Sequence, residues 1–179
     1  RKGYKSAASI VRMLADIVSR NGNLMLSVPL RRDGQPDEQE IEIVKEIGSW
    51  LKVNGEAIYA TRPWKIYGEG PSTAFSEKGS HDGQADVSKK PFTPEDIRYT
   101  TSKDGRTLYA IVCSRPTGPV ALKSLGKTGA WLDRPIAKIE QLGATESIVW
   151  SLGPDALTVT PSFARPVSDA AVAFKITLQ

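Results

Sequence analysis

Chemistry that depends on thiols or imidazoles has little to work with in this chain. Its 179 residues include one cysteine, Cys113, and one histidine, His81. A single cysteine excludes an intrachain disulfide, and one His and one Cys far apart in sequence offer no metal-ligand spacing. A nucleophilic cysteine wants a histidine beside it, yet Cys113 lies in the strand-like "LYAIVCSR" and His81 in a Gly/Ser/Asp-rich loop. Cys113 therefore reads as a small buried hydrophobe. No apolar run reaches the about 18 residues of a membrane span. No secretory signal opens the chain, because "RKGYKSAASIV" begins directly on a helical pattern. A chain that opens in this way is expected to be a piece of something longer.

Charge of one sign is also scarce in any one place. The net charge is +4, and the densest basic groups are Arg31-Arg32 and Lys89-Lys90. A nucleic-acid surface clusters Lys and Arg on one face, so no such partner is expected. "GEGPS" lacks the spacing of a phosphate-binding glycine loop and no strand–turn–helix surrounds it, so no nucleotide cofactor is expected either.

What is present is a core-forming composition, 40% hydrophobic and 25% charged, with room for one large or two small domains. Residues 6 to 20 predict an amphipathic helix: Ser6 is a suitable N-cap, and Ile10, Met13, Leu14, Ile17 and Val18 recur on one face. Asn21-Gly22 suits a left-handed helix end. Leu24, Met25, Leu26 and Val28 then form a nearly unbroken apolar run, the pattern of a strand covered on both faces. After the turn-prone "RRDGQP", Asp37, Glu38 and Glu40 crowd a second helix start, as its dipole favours. Ile41, Val44, Ile47 and Leu51 line one face of that helix, with Ile43 and Trp50 beside it. Residues 68–91 are rich in Gly, Ser, Asp and Lys and read as a linker. From residue 92 to 179 the signal is β. A hairpin turns at Lys103-Asp104-Gly105-Arg106, and "VALKSL", "IAKIEQL", "SIVWSL", "LTVTPS" and "AVAFKITL" follow between turns, which predicts a seven-stranded antiparallel β-sandwich.

The carboxylates have structural readings. Asp37, Glu38, Glu40 and Glu42 serve a helix dipole, Asp33-Gly34 a turn, and Asp16 is a polar position on the first helix. Glu69, flanked by glycines in "YGEGPS", has no identifiable partner and reads as a turn carboxylate. No catalytic residue is assigned in this chain, and no metal site.

Asp16-Ile17-Val18-Ser19, Asn21-Gly22-Asn23-Leu24 and Asp33-Gly34 resemble the "DIVSKNGNLLLNIGPRxDG" pattern of the α-L-fucosidases, glycoside hydrolase family 29. Gly48, Trp50-Leu51, Asn54-Gly55-Glu56-Ala57-Ile58-Tyr59 and Thr61-Arg62-Pro63-Trp64 resemble its "IGxWLxxNGEAIYxTRPW". The "DIRYTT…LYAIV" hairpin and the "LTVTPS" strand are similar to the family's C-terminal sandwich. The resemblance implies an α/β remnant, the last helix–strand–helix of a (β/α)8-type barrel, in residues 1–67, then the 68–91 linker and a β-sandwich at 92–179. It implies a retaining exo-α-L-fucosidase acting on fucosylated glycans, with the nucleophilic Asp and the acid/base Glu upstream and no metal needed. It implies a secreted, periplasmic or lysosomal setting. Residues 23–28 would pair with the rest of the barrel or with a second chain. Ser27, Pro29 and Leu30 stand where many members have Asn, Gly and Pro. Barrel sites form at the C-terminal ends of strands, which places Ser27, Pro29, Arg31 and Arg32 at the substrate-pocket margin. Trp50 is assigned to the core, Trp64 and Tyr67 to pinning the sandwich against the barrel, and Asp16, if more than a polar helix position, to a contact with the barrel underside. Trp131 and Trp150 are candidates for sugar stacking, and a non-catalytic carbohydrate-binding or docking module is the alternative reading. Such a module should expose an aromatic cluster, whereas a structural appendage should bury both.

Overall fold

The computed structural model describes residues 3–75, 92–164 and 168–179. Most of the expected 68–91 linker, with His81 and Lys89-Lys90, lies outside the described residues.

Helix α1 spans Ala7–Ser19, and the Ser6 hydroxyl accepts from the Ser9 N–H at 3.2 Å as its cap. It ends as the sequence predicts. Asn21 takes φ 65°, and the Gly22 N–H donates back to the Ile17 carbonyl at 2.8 Å. A Cβ on Gly22 would stand 2.8 Å from the Ile17 side chain, so the close return requires glycine. Helix α2 spans Glu38–Asn54, with Asp37 accepting from the Glu40 N–H at 3.0 Å and Glu38 and Glu40 in the first turn.

The apolar run between the helices does not become a strand. No ladder forms over residues 23–28 among the described residues, and Met25 is 94% exposed. A strand exists through its neighbours, and these residues have none. The face predicted for α2 is likewise split. Ile47, Trp50 and Leu51 pack inward, but Ile41 and Val44 are exposed.

Eight strands follow among the described residues: β1 (Thr61–Glu69), β2 (Ile97–Ser102), β3 (Thr107–Val112), β4 (Val120–Leu122), β5 (Ile136–Gln141), β6 (Val149–Leu152), β7 (Leu157–Thr160) and β8 (Val172–Leu178). They form a five-stranded sheet in the order β1-β2-β3-β8-β5 and a three-stranded sheet in the order β4-β7-β6, every pair antiparallel. The β2–β3 turn is held by Asp104, which accepts from the Ser102 hydroxyl at 2.6 Å and the Arg106 N–H at 3.0 Å, with Gly105 at φ 67°.

Strand β1 corrects the expected boundary between residues 67 and 68, which falls inside it. Pro63 made this stretch read as a departure from the barrel, but an edge strand tolerates proline because one side of its backbone needs no partner. Gly68 is a strand residue against which the β2 backbone closes: a Cβ there would stand 2.3 Å from the Ile97 carbonyl oxygen.

The five-stranded sheet is covered on both faces. Ile97, Tyr99, Leu108, Ala110, Val112, Phe174 and Ile176 point towards the three-stranded sheet and form one core with Leu122, Leu157 and Val159. Their neighbours Tyr109, Ile111 and Ala173 point the other way, against Val11 and Ala15 of α1 and Trp50 of α2. The Trp50 indole N–H donates to the Ala171 carbonyl at 2.9 Å, and Arg12 Nε to the Ala170 carbonyl at 2.7 Å, so both helices are tied to the start of β8.

Candidate functional site

The loop after the apolar run is a tight hairpin built by its own backbone. The Arg31 N–H donates to the Gln35 carbonyl at 2.8 Å, the Gly34 N–H to the Arg31 carbonyl at 2.9 Å, and Leu30 bridges Pro36. Asp33 accepts from the Gln35 N–H at 3.0 Å, and Gly34 takes φ 81°, as a turn of this kind requires. Ser27 and Pro29 come together with Leu26 and Val28 on one wall of a groove of about 370 Å³, with Ile10, Glu40, Ile43 and Val44 opposite. Arg31 and Arg32 stand outside that groove in the hairpin. The Arg31 guanidinium turns back to the Pro36 carbonyl at 3.2 Å, while Arg32 is exposed. Tyr4 closes the groove's end, its hydroxyl donating to Asp37. That bond, first, and the Glu40 N–H hold the Asp37 carboxyl below the ordinary aspartate range. Tyr4 was not singled out from sequence, because nothing in "KGYKS" places it against a helix cap thirty-three residues later.

The carboxylates that sequence left open are engaged in the framework. Asp16 is buried, accepting from Arg98 Nε at 2.5 Å and Arg20 Nη2 at 3.2 Å. The partner is Arg98 of β2 in the five-stranded sheet, not a group on the underside of a barrel. Glu69 accepts from the Lys123 N–H at 2.8 Å and the Ser124 N–H at 2.7 Å, and also from the Ser124 hydroxyl, tying β1 to the turn after β4. Its flanking glycines admit backbone rather than a ligand: Gly70, at φ 105°, has the Glu95 carbonyl 2.3 Å from where a Cβ would be. Burial works against Asp96, but hydrogen bonds from Ser72 and Thr93 outweigh it and lower its pKa. Burial pushes the Cys113 thiol up to about 12, which agrees with an inert core residue. No group of three His, Cys, Asp or Glu able to hold a metal occurs among the described residues.

The aromatic candidates separate. Trp64 meets Tyr99 with ring centroids 5.3 Å apart in the sandwich core, while Tyr67, on the other face, carries the Arg20 guanidinium 4.1 Å from its ring centroid. Trp131 and Trp150 are 40% and 37% exposed, neither buried nor gathered into a cluster. Trp150 pairs with Val159 across β6 and β7, so its ring shares the core-facing side with a fully buried residue. Trp131 sits on the loop before β5.

Residues 1–56, which hold α1, the apolar run, the hairpin and α2, match the family model described as Alpha-L-fucosidase. An alpha-L-fucosidase of Branchiostoma floridae is 40% identical over 148 residues, 82% of this chain and 26% of that protein. This chain belongs to the alpha-L-fucosidase family. The tissue alpha-L-fucosidase of Bos taurus is 38% identical over the same share of the chain and 25% of its own length. The chain thus spans about a quarter of the length of the curated relatives it matches. In fold it is similar to the Thermotoga maritima alpha-fucosidase solved in complex with fucose, at a TM-score of 0.69 and 21% identity, covering 97% of this chain and 34% of that one. The fold class read from the sequence, a helix–strand–helix remnant followed by an antiparallel sandwich, is therefore that of a fucosidase part. The correction is that the remnant's strand is unpaired in this chain.

Proposed function

We propose that this chain is the closing segment of the catalytic barrel of a retaining exo-α-L-fucosidase, together with the sandwich that follows it. The observation that carries this reading is the unpaired apolar run at residues 24–28, with Met25 and Leu26 exposed, set between two helices inside the stretch that matches the family. An extended run with both edges open leaves backbone N–H and C=O groups unpaired, and the exposed Ile41 and Val44 add apolar surface beside it. In the whole enzyme, residues 23–28 pair with barrel strands supplied by the remaining length, and the same contact covers α2. On this reading the barrel part runs through α2, and the sandwich begins at β1 rather than at residue 92.

Hydrolysis with retention uses two carboxyl groups about 5–5.5 Å apart, one as nucleophile and one as acid and then base. Asp16, Glu69 and Asp96 are held by framework hydrogen bonds, in keeping with the family resemblance, which implies that both catalytic groups come from the remaining length. Ser27, Pro29, Arg31 and Arg32 follow the C-terminal end of the strand, where barrel pockets are built, and stand at the margin of the fucose site. The Arg31–Gln35 backbone pairing fixes that margin.

The test is release of the aryl group from a chromogenic α-L-fucoside. The purified 179-residue chain, with its mass checked in the same sample, should give none. Co-expression with a relative's chain from which the matching quarter has been deleted should restore turnover. Turnover by the 179-residue species alone would overturn the assignment, and Glu69→Gln would then be the first variant to make.

A further inference from the structure

The loop that carries Trp131 is anchored on both sides of that residue. Gly126 packs against the 154–156 backbone with no room for a Cβ, and the Lys127 and Thr128 N–H groups donate to the Gly153 and Pro154 carbonyls, each at 3.0 Å. On the other side Leu132 enters the sandwich core. Between these anchors Lys65 Nζ, reaching over from β1, donates to the Trp131 carbonyl at 3.0 Å and pairs with Asp133 Oδ2 at 2.8 Å. Arg134 is fixed in turn by the Gly105 carbonyl at 2.7 Å, with its Nε 4.0 Å from Asp133 Oδ1. With its backbone held at these points, Trp131 is 40% exposed and leaves apolar surface in water, two residues before a carboxylate that is 57% exposed and flanked by two cations. The apolar face of a pyranose stacks on such a ring, and its hydroxyls find an acceptor in Asp133 and donors in Lys65 and Arg134. Trp150 lacks this setting: it stands on the edge strand β6, opposite Val159 and between Val149 and Ser151.

We propose that Trp131, with Asp133, Lys65 and Arg134, forms a pyranose-binding platform on the sandwich, separate from the barrel pocket. Its ligand is a neutral glycan, and the choice of carbohydrate rests on the fucosidase reading above. A single ring with a few hydrogen bonds gives weak binding, with a dissociation constant on the order of 1 mM.

The chain's four tryptophans give four indole N–H signals in a proton–nitrogen correlation spectrum, and Trp131→Phe identifies the one that matters. Titration with 2′-fucosyllactose and, separately, with lactose should move the Trp131 signal saturably and leave that of Trp150 in place. Trp131→Ala should weaken binding at least about tenfold with an unchanged unfolding midpoint. Should that variant fold poorly, Trp131→Tyr keeps a ring and should retain partial binding. Absence of a saturable Trp131 shift with either sugar overturns the platform, as does a response confined to Trp150. Because lactose carries no fucose and the aryl-fucoside assay does not involve Trp131, failure of the platform and failure of the fucosidase assignment are read separately.

Discussion

Replacing Arg98 with methionine removes a cation buried where helix α1 meets the five-stranded sheet. Arg98 is fully buried; it donates from Nε to Asp16 at 2.5 Å, from Nη1 to the Ile97 carbonyl at 3.0 Å and from Nη2 to the Ser72 hydroxyl at 2.6 Å. Its guanidinium also lies 5.6 Å from the Tyr67 ring centroid and 5.4 Å from that of Phe92. Without it, Asp16, itself 4% exposed, keeps a single partner in Arg20 at 3.2 Å. Stranding one charge of a buried pair costs about 3–5 kcal/mol. For a domain of this size that lowers the unfolding midpoint by about 6–20 °C. Urea unfolding of Arg98→Met should show the loss as a lower midpoint at unchanged slope. The double variant Asp16→Leu/Arg98→Met removes both charges and should recover most of the loss, because the stranded carboxylate is then gone. A single-variant cost below about 1 kcal/mol would refute the reasoning, since that is what an exposed ion pair contributes. So would a double variant whose cost equals the sum of the two singles.

Two further outcomes follow from titratable groups. The folded pKa of Asp96 lies below its ordinary value, so its contribution is present above that ordinary value and is lost as pH falls through the lower, folded one. Asp96→Asn should therefore flatten the acid limb of the stability profile, measured by thermal unfolding in steps of pH. An unchanged acid limb would remove Asp96 from the account. Cys113, fully buried with its thiol pushed up to about 12, should resist a thiol-specific chromogenic reagent in native buffer and react fully in denaturant. Rapid labelling of the native chain would contradict the packing described for the end of β3.

The strands were legible from sequence where the alternation or the turn chemistry was local. Asp104-Gly105 and Gly153-Pro154 each bend the chain within four residues, and all seven strand regions expected after residue 92 form. Strand β1 was not legible, because Pro63 and the charged Lys65 obscure a pattern that shows only once Trp64 and Ile66 are seen facing the core. The reverse holds at residues 24–28, whose composition specifies a strand while the described residues offer it no pairing partner. Glu69 and Asp16 were legible as polar positions, but their partners are fifty-five and eighty-two residues away, and spacing gives no view of that. The framework of the candidate site could thus be read early, and its bonding could not.

The doubly covered sheet makes β3 intolerant of slippage. Leu108, Ala110 and Val112 fill one core while Tyr109 and Ile111 fill another. Inserting or deleting one residue within Thr107–Val112 would exchange the two sets and spoil both packings at once. Length variation in this part of the chain is therefore confined to its turns. The turn between β2 and β3 and the connection from β3 to β4 are where length can vary; the strand they flank cannot change.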